Sequence, residues 1–177
     1  MTTVALDLSV NSTGIAIATD DRQVTFIRLT PRSYDKVRGC KWTVSLHNAM
    51  HIANELAMLL MPYRFDDMHI VIESVGFGLL KARTNSATAL LFEGAIVASK
   101  LVDMFNATVD FVEPTKHKKL FTGNGKATKE CSVAQLLHWF PQLTLCSNKL
   151  DDIADAMSIM TYAIPDIRTY TCKFIAM

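Results

Sequence analysis

The sequence is poor in the features that define several large classes of protein. Its four cysteines among 177 residues are scattered and form no CxxC pair. Neither a disulfide framework nor a zinc knuckle is therefore expected, and reduced thiols favour a cytoplasmic protein. No apolar run approaches the ~20 residues of a membrane-spanning helix, and no basic segment followed by an apolar one opens the chain, so we expect no membrane span and no secretion signal. Without a repeat, low-complexity tract or linker, the sequence predicts one domain over residues 1–177.

The basic residues are unevenly distributed, although the net charge is only +1. Half of the 18 Lys and Arg residues lie within residues 31–41 and 116–129, and the second of these segments contains no acid. Such clustering indicates a surface that faces a polyanion, and solvated loops are the alternative. The segment Thr122–Lys126 lacks the Gly-x4-Gly-Lys-Ser/Thr spacing of a P-loop, so no nucleotide cofactor is expected.

Hydrophobic periodicity predicts an α/β protein. Strands are predicted at residues 3–8, 14–19, 23–29, 69–73 and 108–112, and helices at residues 44–60, 86–104, 128–140 and 151–164. A basic, glycine-containing loop is expected from Pro114 to about Ala127. This order predicts a five-stranded mixed sheet flanked by helices on both faces.

Four acids stand out from the others because of their positions. Asp7 and Glu73 end apolar strands, and Asp152 and Asp155 share one face at the start of an apolar helix. Buried carboxylates that converge are costly unless a cation lies between them, and oxygen ligands select Mg²⁺ or Mn²⁺. Two such ions can activate a water and stabilise a leaving oxygen in phosphodiester hydrolysis. The alternatives are a helix cap for Asp152 and a turn residue for Asp7.

With these motifs in hand, the chain resembles the RuvC-type Holliday junction resolvases, which have an RNase H-like fold. The resemblance rests on Ala5-Leu6-Asp7 with Thr13-Gly14, on the strand that ends in Glu73, and on Asp-Ile-Ala-Asp-Ala at residues 152–156. Residues 114–129 also fit the family pattern Pro-x3-Lys-x4-Gly-x-Gly-x-Ala-x-Lys. The sequence departs from the family at Leu8-Ser9, where Pro-Gly is usual, and matches only loosely at Phe77, the counterpart of a hydrophobic wedge. Such divergence would suit a phage member.

The resemblance implies a homodimeric endonuclease that nicks opposing strands of a four-way junction during recombination or replication, with two Mg²⁺ or Mn²⁺ ions per site. It implies that Asp7, Glu73, Asp152 and Asp155 are metal ligands and that Lys118 joins them in catalysis. The predicted DNA contacts are Lys116, Lys118, Lys119, Gly123, Gly125, Lys126, Lys129, Phe77, Lys81 and Arg83. The two glycines would let backbone N–H groups approach phosphate closely. The apolar helix at residues 86–104 is the predicted dimer seam.

Several alternatives stay open from the sequence alone. The chain could cleave other branched DNA such as flaps or forks, or bind junctions without cutting them. A phosphotransferase of the actin–sugar kinase type is disfavoured because the chain is short. His117 could orient a water or a phosphate, but a solvated loop histidine is the favoured interpretation.

Overall fold

The structure, a computed structural model, describes residues 1–9, 12–30, 41–75, 85–145 and 150–176. Its strands are β1 (Thr2–Asp7), β2 (Thr13–Ala18), β3 (Gln23–Leu29), β4 (Met68–Glu73), β5 (Thr108–Val112) and β6 (Thr171–Ala176). Its α-helices are α1 (Lys41–Leu60), α2 (Asn85–Phe105), α3 (Pro114–Thr122), α4 (Lys129–Trp139) and α5 (Leu150–Ala163), with three short 3₁₀ segments at Met61–Tyr63, Pro141–Leu145 and Ile167–Thr169. The predicted elements agree to within one residue at each end, except that α1 begins three residues early.

The strands form one mixed sheet in the order β5-β4-β1-β2-β3-β6. β1, β2 and β3 are an antiparallel meander, whereas β4 runs parallel to β1 and β5 runs parallel to β4. The prediction of five strands is wrong, because β6 adds a sixth along β3 in parallel register. This strand forms at a sheet edge against β3, which is far away in sequence, so no local hairpin pattern predicts it.

The prediction of a loop from Pro114 is also wrong, since its first part is helix α3. Proline suits the first turn of a helix, where its missing N–H costs no hydrogen bond. Gly123 ends the helix with φ at +80°, a conformation that favours glycine. Only the segment between Gly123 and Thr128 remains as the predicted loop.

Alternating strand residues divide the interior into two apolar layers, one on each face of the sheet. Larger residues such as Leu6 and Ile70 face α1 and α2. The opposite face carries the small residues Ala5 and Ala16 in the middle of the sheet, against helices α3 to α5. The predicted helices on both faces are therefore confirmed. Among the described residues, no helix is long and apolar enough to cross a membrane.

Candidate active site

The first two predicted acids lie side by side at one end of the sheet. Ala5 and Val71 belong to the apolar layer under α5, and every second residue of a strand points to the same face. Asp7 and Glu73 each follow by two residues, so both acids point to the face covered by α5. β1 and β4 are parallel neighbours, with Leu6 opposite Ile72. The next residues, Asp7 and Glu73, therefore end adjacent strands in the same row.

Gly14 brings the other two acids to this row. It lies opposite Asp7 on β2, and a Cβ at its position would overlap the backbone carbonyl oxygen of Asp152. Only a glycine lets the start of α5 pack directly on β2. The Thr-Gly pair after the first acid thus has a structural purpose, which is to place Asp152 and Asp155 over the ends of the central strands.

The acids are close enough to perturb one another electrostatically. Burial raises the pKa of Asp7 well above its usual range, and the charges of Asp155, Glu73 and Asp152 raise it further. Burial likewise raises the pKa of Asp155. The charge of Lys118 opposes this shift, and the charge of Glu73 adds to it. The Oδ1 atom of Asp155 is buried without a hydrogen-bond partner among the described residues. These carboxylates therefore repel one another, and nearby lysines offset that repulsion only in part.

Asp152 differs from the other acids because it has its own counter-ion. The Nε atom of Arg28 donates to its Oδ2 at 2.6 Å, and both side chains are mostly buried. Arg28 lies opposite Gly14 on β3, so it belongs to the same row of strand ends. The sequence interpretation treated the four acids as equivalent and gave no role to Arg28.

Two of the predicted lysines reach the acid cluster. Lys118 on α3 and Lys129 at the start of α4 both lower the pKa of Asp155. The Nζ atom of Lys129 also donates to Asp151 at 3.2 Å, and this hydrogen bond is the main cause that raises the lysine's pKa. Asp151, Lys129 and Arg28 line an open cleft of about 800 Å³ beside the acids.

The other predicted DNA contacts have different surroundings. All three of Lys116, Lys119 and Lys126 are exposed, and the Nζ atom of Lys116 lies 4.5 Å from the centre of the Tyr162 ring. The amide of Gly123 donates to the Lys119 carbonyl at 3.0 Å as part of the helix end, so it is not the open phosphate donor that the sequence suggested. A Cβ at Gly125 would lie 2.7 Å from the Thr115 carbonyl oxygen, so this glycine lets the loop close on α3. Phe77, Lys81 and Arg83 lie outside the described residues.

His117 is the functional candidate that sequence reasoning placed wrongly. It is fully buried on α3 rather than solvated in a loop. Its Nε2 lies 2.7 Å from Glu73 Oε2, and its Nδ1 lies 2.7 Å from Ser158 Oγ on α5. The available clue was its spacing of four from Phe121, which is the pattern of one inward helix face between exposed lysines.

The donor set suits a hard divalent cation, although the side chains are not arranged around one. Across the described parts of the chain, no three His, Cys, Asp or Glu side chains are placed to share one metal ion. Asp155, Glu73 and Asp152 nevertheless all interact electrostatically with Asp7, and a buried oxygen of Asp155 has no hydrogen-bond partner in the described part of the chain. Oxygen donors of this kind fit Mg²⁺ or Mn²⁺, whose charge would offset the burial and the repulsion that together raise the pKa of Asp7.

The comparisons with known proteins find similar structures but no match by sequence. No protein-family model matches the chain, and no curated protein matches it. RuvC of Thermus thermophilus has 16% sequence identity and a TM-score of 0.64, with 94% of this chain and 98% of RuvC covered. The chain has the fold of the RuvC resolvases. RuvC in complex with Holliday junction substrate gives a TM-score of 0.64 at 15% identity, covering 94% of this chain and 95% of that one.

A third similar structure comes from yeast. The yeast mitochondrial Holliday junction resolvase Ydc2 aligns with a TM-score of 0.58 at 10% identity, over 94% of this chain and 78% of its own. The resemblance to RuvC drawn from the motifs is thus confirmed at the level of the fold. The expected RNase H-like architecture is confirmed with it, apart from the added strand β6.

Proposed function

We propose that this chain is a metal-dependent endonuclease of the RuvC type that cuts four-way DNA junctions, with residues 1–177 as one nuclease domain. The observation that supports it best is the gathering of Asp7, Glu73, Asp152 and Asp155 at one end of the central strands, next to Lys118 and Lys129. One of the similar structures is RuvC with Holliday junction substrate, and we extend that substrate class to this chain.

In this proposal the acids hold Mg²⁺ or Mn²⁺, with two ions per site as the sequence suggests. The bound ions would supply Lewis-acid chemistry, since such ions lower the pKa of water and neutralise charge on a phosphodiester. Asp7, Glu73 and Asp155 would be the main ligands. Asp152 would join them through Oδ1, because its Oδ2 accepts from Arg28.

The chain's own basic residues would hold the scissile strand. Lys118 and Lys129 would neutralise the phosphate next to the acids, and Lys116, Lys119 and Lys126 would extend this basic surface along α3 and the following loop. Each neutralised phosphate releases counter-ions, so binding should weaken steeply as salt rises. If Lys118 acts on the transition state, Lys118→Ala should lower the cleavage rate more than the affinity for DNA.

Two opposed nicks require two such sites, so we propose a two-fold symmetric dimer. Leu91, Phe92 and Val102 are 43%, 57% and 44% exposed, and with Ala95 they form an apolar row along α2. Large apolar side chains in one exposed row are typical of an interface. This row, here named the α2 seam, supports the prediction that helix 86–104 joins two copies.

A cleavage panel tests the proposed function. Labelled four-way junction, fork, flap, RNA–DNA hybrid and linear duplex are incubated with the wild-type protein and Mg²⁺. We expect symmetric nicks in the junction and no cutting of the duplex. Preferential cutting of forks or flaps would support the rival nuclease, whereas tight junction binding without cutting would support a catalytically silent junction binder.

A further inference from the structure

Two buried polar side chains are linked to Glu73 by successive hydrogen-bond contacts. Ser158 on α5, His117 on α3 and Glu73 at the end of β4 are joined by two contacts of 2.7 Å. Ser158 and His117 are both completely buried, whereas the Glu73 side chain is 28% exposed toward the acid cluster. These hydrogen-bonded side chains therefore run from the protein interior to Glu73, which is the only one of the three that reaches the proposed site.

The chemistry of the three groups fixes the direction of the hydrogen bonds. An ionised carboxylate only accepts, so Nε2 of His117 donates to Oε2 of Glu73. In the neutral ring, the other nitrogen then accepts from the hydroxyl of Ser158. This arrangement occupies Oε2 and leaves Oε1 of Glu73 for the site.

Ser158 and His117 cannot serve as a nucleophile and its base. Both side chains have no exposed surface, so no substrate atom reaches the hydroxyl. What the contacts can do is hold the carboxylate in one orientation, because the histidine ring is itself fixed at its far nitrogen. Carboxylates that bind metals are commonly oriented by hydrogen bonds of this kind.

We propose that His117 is a positioning residue that orients the carboxylate of Glu73 for a divalent cation, and that Ser158 fixes the histidine ring. This role rests on the divalent cation of the proposed function, but it does not depend on which DNA substrate is cut. It assigns a role that the sequence motifs do not contain, since His117 falls on an unspecified position of the Pro-x3-Lys pattern.

The test compares His117→Leu, which removes the donor, with His117→Gln, whose amide N–H can still donate to Glu73. Calorimetric titration of Mn²⁺ into DNA-free protein gives a readout that does not depend on cleavage. We expect His117→Leu to weaken Mn²⁺ binding by about 10- to 100-fold and His117→Gln to retain most of it. With a junction substrate, His117→Leu should lower kcat and leave KM unchanged, since a positioning residue does not touch the DNA.

Two further variants keep the outcome clear. Ser158→Ala should also weaken Mn²⁺ binding, but by less than His117→Leu does. If His117→Leu does not fold, Ser158→Ala provides the test. His69→Leu is the matched control, because His69 pairs with Asp110 at 2.9 Å at the opposite end of β4. The control should bind Mn²⁺ like the wild type.

The outcomes separate this inference from the proposed function. Equal Mn²⁺ affinity and equal kcat for wild type, His117→Leu and Ser158→Ala would overturn the positioning role while leaving the nuclease intact. Weakened Mn²⁺ binding in a protein that cuts no branched DNA would support the positioning role and refute the junction resolvase.

Discussion

Asp7, Glu73 and Asp155 are the side chains on which cleavage should depend most. We predict that Asp7→Asn, Glu73→Gln and Asp155→Asn each abolish junction cleavage in Mg²⁺. Junction binding should be kept or tightened, because removing a negative charge reduces the repulsion of phosphate. Cleavage assays and gel-shift titrations measure the two effects separately.

Asp103→Asn provides the control for this series, since Asp103 is exposed on α2 away from the strand ends. It should cut like the wild type. Substantial cleavage by any of the three acid variants would remove that residue from the proposed metal site.

Arg28 should matter for stability through its ion pair with Asp152. Arg28→Gln leaves a mostly buried carboxylate without its counter-ion, so the free energy of unfolding should fall by about 1–3 kcal/mol. In a double-mutant cycle with Asp152→Asn, the second substitution should recover part of this loss. Chemical denaturation of the four proteins gives the coupling energy, and strictly additive losses would show that the 2.6 Å contact contributes nothing.

The individual residues show where sequence patterns succeed and where they do not. The acids could be found because strand ends and a helix face fix their positions, whereas Lys118 could be found only through the family pattern Pro-x3-Lys. The ion pair of Arg28 and the burial of His117 could not be found in this way. Both depend on which elements pack together across the sheet, and that information is not local in the sequence.

At the contact of β2 with α5, Gly14 should tolerate no side chain. Gly14→Ala places a Cβ against the backbone of Asp152, and overpacking of this kind costs about 1–3 kcal/mol. It should also reduce cleavage by displacing α5. Gly94→Ala is the matched control on α2, where the new Cβ would lie 3.6 Å from Phe111, an ordinary contact.

In an unstrained helix, alanine is more favourable than glycine by about 0.5–1 kcal/mol. Thermal unfolding should therefore show a lower Tm for Gly14→Ala and an equal or higher Tm for Gly94→Ala. Equal changes in Tm for Gly14→Ala and Gly94→Ala would contradict the packing described at Gly14.

Helix α2 contains a buried acid that should make stability depend on pH. Burial raises the pKa of Glu93 from about 4.5 to about 7, and its Oε1 has no partner among the described residues. Between these values the folded state binds more protons than the unfolded one, so stability falls as pH rises from 4.5 to 7. The loss should be at most about 3 kcal/mol.

Glu93→Gln tests this dependence because it has no charge to bury. Denaturation between pH 5 and about pH 8 should show a flatter profile for Glu93→Gln and greater stability than the wild type at the upper end. Profiles that fall equally in both proteins would assign the pH dependence to other groups.

The elements that sequence reasoning missed share a physical cause. α3 begins with proline and is rich in lysine, so its pattern looks like a loop until His117 and Phe121 are seen to face inward. β6 is an edge strand whose partner β3 lies at the other end of the chain. Both elements form through tertiary contacts, whereas the strongly apolar strands and helices could be predicted from their own periodicity.

For the molecule as a whole, the proposed dimer predicts coupled nicks. Ala95→Glu introduces a charge into the exposed α2 seam and should give monomers by light scattering at micromolar concentration. Asn54→Glu, on the exposed face of α1, is the control and should leave the dimer intact. A wild-type protein that stays monomeric and still makes symmetric paired nicks would contradict this assembly.

The most direct test uses a supercoiled plasmid with an extruded cruciform, compared with the same plasmid without the inverted repeat. With Mg²⁺, the wild type should cut opposed strands at the cruciform and give linear DNA, and it should leave the other plasmid intact. Asp7→Asn should give no product from either plasmid. Equal cutting of both plasmids by the wild type, or linear product from Asp7→Asn, would contradict the account of a junction resolvase built on this cluster of acids.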